Sequence, residues 1–144
     1  MSHLRAGDIV SRRKGLVMHR GIALGDGRVL HNTPLLGEHI CTESEFRAGR
    51  RLHVHRLDGE ARGRVMRRAR DHAPRGYNVL TNNCEHTVTR HTTGAAHSPQ
   101  LRSWIIGSGL AAAAFAVTRH PAVAAAAYAA GRKLGQRLGA KLTR

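Results

Sequence analysis

His19-Arg20-Gly21-Ile22-Ala23-Leu24-Gly25-Asp26-Gly27-Arg28-Val29-Leu30-His31 is the stretch that decides the fold. Leu16 through Leu24 has strand character, Gly25-Asp26-Gly27 is a strong turn signal, and Arg28-Val29-Leu30-His31 runs back. A β-hairpin is expected, with a histidine on each arm. If the loop has three residues, Leu24 pairs with Arg28 and Ile22 with Leu30. His19 then stands opposite Thr33, and His31 becomes its diagonal neighbour on the same face. A two-residue loop throws His31 to the other face, because strand side chains alternate. Two polar residues on the solvated side of a hairpin are the plain alternative to a working pair.

Upstream of the hairpin, Asp8-Ile9-Val10 opens a short strand, and Ser11-Arg12-Arg13-Lys14-Gly15 reads as a basic loop. Downstream, Pro34 and Gly37 mark a turn before a third strand, Glu38-His39-Ile40-Cys41-Thr42. Glu43 through Arg50 reads as a loop or a short helical turn. Arg51 through Leu57 alternates with period two, with Leu52, Val54 and Leu57 inward and the strand ending near Arg56. From Asp58 the period changes: Ala61, Val65, Met66, Ala69 and Ala73 recur at helical spacing. Arg62, Arg64, Arg67, Arg68 and Arg70 form the solvated face of that helix, which Pro74 and Gly76 end. Tyr77 through Thr81 approaches a second helix start, Asn82-Asn83-Cys84-Glu85-His86, with Asn as cap and an acid in the first turn. The expected class is α+β, a small antiparallel sheet packed on the helix that begins at Cys84.

A thiol at that position has reason to react. The unsatisfied N–H groups of a helix's first turn favour a thiolate and can also hold an oxyanion. A neighbouring imidazole supplies the base. A small buried hydrophobe is the ordinary role of a lone cysteine. Cys41 has no base near it in sequence and reads as a packed strand residue. His53 and His55 stand two apart on a strand, but no carboxylate or thiol accompanies them at ligand spacing, so neither a metal nor another cofactor is expected.

Taken together, Gly7-Asp8-Ile9-Val10, His19 through Gly27, Val29-Leu30-His31 and Asn83-Cys84-Glu85-His86 resemble the lecithin:retinol acyltransferase and H-rev107-like phospholipase/acyltransferase group, within the wider NlpC/P60 superfamily. The resemblance covers roughly Leu4 to His91 and includes the step of 12 residues between the two histidines. It implies a permuted papain-like fold in which His precedes Cys. It further implies Cys84 as nucleophile, His19 as base and His31 as the third, orienting member. The activity implied is thiol-dependent acyl transfer or hydrolysis on acyl esters of lipids, through a thioester on Cys84. Thr87 stands where the family usually has Phe, aromatics are sparse, and the loop between Pro34 and Arg50 is short. The fold tolerates these departures more readily than the substrate does. Glu85 and His86 are read as structural.

Composition narrows the alternatives. The chain of 144 residues carries 24 Lys plus Arg against 9 Asp plus Glu, a formal net charge of +15. That excess attracts phosphate on a bilayer or on nucleic acid, although an Arg-, Ala- and Gly-rich composition also follows from GC-rich coding. With 3% aromatics, binding of single strands by stacking is disfavoured. Arg12 and Arg13, with Lys14, are candidates to meet a substrate phosphate. Two cysteines are too few for a disulfide scaffold. The segment from Met1 to Asp8 has no apolar core or cleavage site, so a cytoplasmic location is expected.

The chain divides into a catalytic domain, 1–97, and a linker with an Ala-rich helical tail, 98–144. The run from Trp104 to Thr118 is apolar, Arg119-His120-Pro121 interrupts it, and Ala122 through Gly131 is almost all Ala. Trp104 to Thr118 alone is shorter than the roughly 20 residues a span requires. Two helices forming a hairpin, against a membrane or against protein, fit better. Residues 104–144 end with Arg132, Lys133, Arg137, Lys141 and Arg144, which suit an anionic membrane surface. The expected location is therefore peripheral or C-terminal attachment on the cytoplasmic side, in the position where H-rev107-like proteins carry a hydrophobic anchor. Two other functions compete: a cysteine peptidase or amidase of NlpC/P60 type, and a non-catalytic basic module binding membrane or nucleic acid.

Overall fold

A computed structural model of the chain describes residues 4–71, 74–80 and 82–141, with side chains as far as Leu138. Ala73, Thr81, Arg144, the Lys141 side chain and the segment before Leu4 lie outside the described residues. Two compact units result, one up to His97 and the other from Ser98.

The first unit is α+β. Strands β1 (Ile9–Lys14), β2 (Val17–Gly25), β3 (Arg28–Thr33), β4 (Gly37–Thr42) and β5 (His53–His55) form one sheet in the order β4-β3-β2-β1-β5. Every neighbouring pair is antiparallel. Helices α1 (Glu43–Arg47), α2 (Gly59–Arg70) and α3 (Cys84–Thr93) accompany it. Ser11 to Lys14 continue β1 instead of forming a loop, since the ladder runs unbroken from Ile9↔Ile22 to Lys14↔Val17. Backbone pairing outweighs the local charge there.

The β2–β3 turn has two residues. Asp26 (φ 50°) and Gly27 (φ 69°) both take left-handed backbone, as a type I′ hairpin turn requires. Gly25, not Leu24, pairs with Arg28, and the register shifts between Ala23 and Gly25. Leu24 is thus the extra residue of a bulge. The bulge restores what the shorter loop removes, so Ile22 still faces Leu30 and Gly21 faces His31. The ladder stops at that pair, leaving His19 without a cross-strand partner at Thr33.

Alternation sends successive residues to opposite faces of the sheet. Ile9 and Ile22 join Val65 of α2 and Val88 of α3 on one face. Val10, Ala23 and Val29 pack with Phe46 of α1 on the other. Gly21 permits this second contact, because a Cβ there would meet the Phe46 ring at 3.0 Å and Val29 Cγ1 at 2.7 Å. The capping box at Thr42 and Glu45 holds α1 in place. Leu52 and Leu57 are half-buried, whereas Val54, expected inward, is exposed because β5 is an edge strand. The α2 arginines are not uniformly solvated either. Arg68 reaches across to the carbonyls of His91 and Thr92 at 3.0 and 2.9 Å, closing the end of α3.

The second unit is a helical hairpin of α4 (Pro99–Thr118) and α5 (Pro121–Lys141). Ser98 caps α4, its hydroxyl accepting from the Leu101 N–H at 3.2 Å. The helix therefore starts ahead of Trp104 and reaches 20 residues, a length that matches a bilayer core. Small residues bring the helices together: a Cβ on Gly131 would lie 2.8 Å from Gly107 Cα, and one on Gly135 2.5 Å from Ser103 Cα. Arg132 stacks over Trp104 at 4.4 Å and donates to the Tyr128 hydroxyl at 3.1 Å. Large apolar side chains at Ile105, Phe115 and Val117 face outward.

Candidate active site

His19 sits on β2 and His31 on β3, both with their side chains on the Phe46 face. Each ring centroid lies 5.4 Å from that of Phe46, one stacked and one edge-on. Both histidines are buried. Nε2 of His19 lies 2.9 Å from Nδ1 of His31, so one ring donates to the other. The bulge and the diagonal geometry of an antiparallel pair bring them together. Burial lowers the His19 pKa from 6.5 to about 3, and the neighbouring His31, Arg12, Lys14 and His39 push the same way. His31 falls to about 4, again chiefly through burial, then through His39, Arg12 and Lys14, with Glu45 opposing. Near neutral pH both imidazoles are uncharged.

Cys84 opens α3. Asn83 caps the helix, its side-chain oxygen accepting from the N–H groups of Glu85 and His86 at 2.9 and 3.1 Å. The His86 ring returns the favour by accepting from the Asn83 N–H at 3.4 Å, which completes a capping box. The core contacts of α3 lie on the face of the sheet opposite the histidines. Arg20, the residue after His19, sends its side chain to the α3 face and meets Glu85, the residue after Cys84.

Helix-start placement does not leave the thiol acidic. Burial raises the Cys84 pKa above its ordinary 9.0; the Arg20 N–H lowers it in part, and the Glu85 carboxylate adds to the rise. The expectation of a resting thiolate is corrected on this point, because desolvation of the anion outweighs the first-turn dipole. Glu85 is buried and paired with Arg20, Nη1 to Oε1 at 3.5 Å.

A polar network ties the Cys84 helix to the histidine strands. Asn32 on β3 donates to the Asn82 carbonyl at 3.0 Å and to the Thr87 hydroxyl at 3.2 Å. Thr87 donates to Glu38 Oε1 at 2.6 Å, and Arg90 to the same oxygen at 2.7 Å. Burial alone would raise the Glu38 carboxyl, but its bonds to Thr87, Arg90 and the Arg75 N–H hold it below the usual 4.5. Thr87, where the resemblance leads one to expect Phe, is a fully buried member of this network.

Arg12 pairs with His19 across β1 and β2, and its Nε donates to the Phe46 carbonyl. Arg13 points to the opposite face and is exposed. Cys41 shares the histidine face, packed with Phe46, and burial followed by the Glu45 charge raises its thiol. His53 and His55 are exposed on β5, and the described residues contain no group of three or more His, Cys, Asp or Glu arranged to hold a metal. A pocket lined by Arg68, Asp71, Arg90, His91 and Gly94 lies at the other end of α3 and includes none of the three residues singled out from the sequence.

Sequence reasoning passed over His39. It pairs with His31 across β3 and β4, and the two ring centroids are 4.2 Å apart. Extending the hairpin register through the Pro34–Gly37 turn would have found it. Phe46 was passed over as well, since a single aromatic in a five-residue helix gives no periodic signal. No protein-family model matches the chain, and no curated protein matches it.

Proposed function

We propose that this chain is a thiol acyltransferase or hydrolase acting on acyl esters of lipids, with Cys84 as nucleophile, His19 as base and His31 as the group that orients His19. One observation carries the reading: a buried imidazole pair bonded at 2.9 Å lies on the strands beside Arg20, whose guanidinium pairs at 3.5 Å with Glu85, the residue after Cys84. A buried histidine couple has little to offer folding, because it forgoes hydration for one mutual bond. Each neutral ring carries one N–H and one lone pair, so the couple can pass a proton along. With thiol and imidazole both neutral at rest, the proton leaves Sγ for His19 Nδ1 as sulfur attacks the acyl carbonyl. His19 then returns it to the departing alkoxide oxygen, leaving a thioester. Water, an alcohol or an amine next attacks the thioester carbonyl, giving its proton to His19, which reprotonates the leaving sulfur. Glu85 and His86 already donate their N–H groups to the Asn83 cap, so in this reading the Cys84 N–H is the one that meets the oxyanion.

The second unit supports a lipid substrate over a peptide. By length and composition α4 is suited to crossing a membrane, with mean hydropathy 1.3 and only 11% of its apolar window buried. Location at a membrane surface, and contact of the basic residues of 104–144 with anionic headgroups, belong to the same proposal. The test is to incubate the protein with a short-chain phospholipid and search for an acyl adduct on Cys84 by mass spectrometry. The adduct is expected in the parent and in Cys41→Ala and absent in Cys84→Ala. Undiminished turnover by Cys84→Ala would remove the reading.

A further inference from the structure

Three turns gather at one end of the first unit. In an antiparallel sheet ordered β4-β3-β2-β1-β5, the β1–β2 and β3–β4 turns fall at the same end and the Asp26-Gly27 turn at the other. The segment leading to α3 is tied to that first end. The Arg75 carbonyl accepts from the Glu38 N–H at 2.8 Å, and the Asn82 carbonyl from the Asn32 side chain at 3.0 Å. Asn78 and Asn82 exchange two backbone hydrogen bonds, at 2.9 and 2.8 Å, and so close a tight turn around Val79 and Leu80. Cys84 opens α3 just beyond it.

Turn tips that face water ordinarily carry Gly, Asn, Asp, Ser or Pro. Here hydrocarbon stands out: Leu16 is 84% exposed, Leu35 95%, Leu36 70%, Val79 57% and Leu80 64%. A single exposed leucine is unremarkable. Large aliphatic side chains from three separate turns at one end make an apolar rim that the core of this unit does not use. Charge decides what it meets. The segments 12–19, 33–37 and 75–80 contain no Asp or Glu, while Arg13, Lys14 and Arg75 are exposed there. Glu38, the next acid along β4, is buried and bonded to Arg90. Apolar tips among cations complement a surface of phosphate over hydrocarbon, which is an anionic bilayer. The same chain carries α4, long and apolar enough to cross a membrane.

We propose that this end of the first unit is a lipid-docking surface: the tips at Leu16, Leu35, Leu36, Val79 and Leu80 enter the acyl-chain border of an anionic bilayer, while Arg13, Lys14 and Arg75 meet its phosphates. It is a second contact, added to the one assigned above to the helical hairpin, and it does not need Cys84 to react. If Cys84 does carry the acyl group, docking by this end brings the start of α3 to the lipid.

The test is hydroxyl-radical footprinting of the full chain, alone and with saturated-chain vesicles of phosphatidylcholine and phosphatidylglycerol, with side-chain oxidation read by mass spectrometry. Oxidation of Leu16, Leu35, Leu36 and Leu80 is expected to fall severalfold with vesicles. Val54, exposed on β5 and paired with Val10 away from this end, should not change. Leu35→Ser with Leu36→Ser should weaken vesicle binding about tenfold, the scale of returning two partly inserted leucines to water. Leu35→Met with Leu36→Met should bind as the parent does. Vesicle binding with unchanged oxidation at these leucines overturns the proposal and leaves the hairpin contact standing. Protection that grows with protein concentration before any vesicle is added assigns the surface to a second copy of the chain, and overturns it too. Protected leucines in a protein that forms no Cys84 adduct would fault the acyl-transfer reading alone.

Discussion

The two units distribute polarity in opposite ways. In the first, Asp8, His19, His31, Asn32, Glu38, Glu85 and Thr87 are buried, and the apolar core is split into two small clusters by the sheet. In the second, Ile105, Leu110, Phe115 and Val117 are exposed, while Gly and Ser let the two helix backbones approach closely. The first unit is held by specific buried bonds. In the second, two helices meet by close backbone approach with large apolar side chains outward, and α4 is long and apolar enough to cross a membrane.

The contrast breaks most visibly if the units do not work separately. A chain ending at His97 is expected to keep Cys84 reactivity toward a soluble ester and to lose nearly all binding to anionic liposomes, measured by co-flotation. In the parent, salt should weaken that binding only in part, since burial of apolar side chains is not screened. Loss of Cys84 reactivity on truncation would mean that the first unit depends on the second.

Glu38→Gln probes the buried network. It leaves Arg90 with a neutral partner in a buried position, and the expected loss is about 3 kcal/mol. Native-state hydrogen exchange of the β3 and β4 amides reads it directly. In the parent the Glu38 carboxyl is held below its ordinary value. Its contribution is therefore complete above pH 4.5 and is lost as pH falls through the lowered pKa. A smaller effect is expected from Gly131→Val in the second unit. The new side chain must push Gly107 and the Ile106 carbonyl away, at a cost of about 1–3 kcal/mol. Thermal loss of helicity in liposomes checks it, and the first unit should not respond.

The last effect is a slope. His19 and His31 bind protons more weakly when folded, so below pH 6.5 the unfolded chain holds more protons. Stability from these sites is intact above pH 6.5 and drains away toward pH 4 for His31 and pH 3 for His19, by at most about 1.4 kcal/mol per pH unit for each ring. His19→Gln should flatten that slope in urea titrations of the 1–97 unit between pH 4.5 and 6.5. An unchanged slope would show that the rings are not buried as neutral groups.

Much of this was legible in the chain. The alternation around Gly25-Asp26-Gly27 announced the hairpin, Asn83 announced the start of α3, and the change of period at Asp58 announced α2. These signals are local, each set by a few neighbouring residues and by backbone preferences that operate anywhere. The Cys84 thiol shows where such reading fails. Its place in a first turn argued for a low pKa, but desolvation depends on what packs around it, and that raised it.

The sequence by itself determined the class of the first unit, the break near residue 98 in composition, and the three residues on which a thiol chemistry would rest. Only the tertiary structure decided that a bulge at Leu24 rescues the register of a two-residue turn, and that the histidines and the body of α3 occupy opposite faces of the sheet. It alone showed His39 behind His31. Turn, cap and period are written in adjacent residues, whereas burial and cross-strand neighbours arise only when segments distant in the chain compete for the same space.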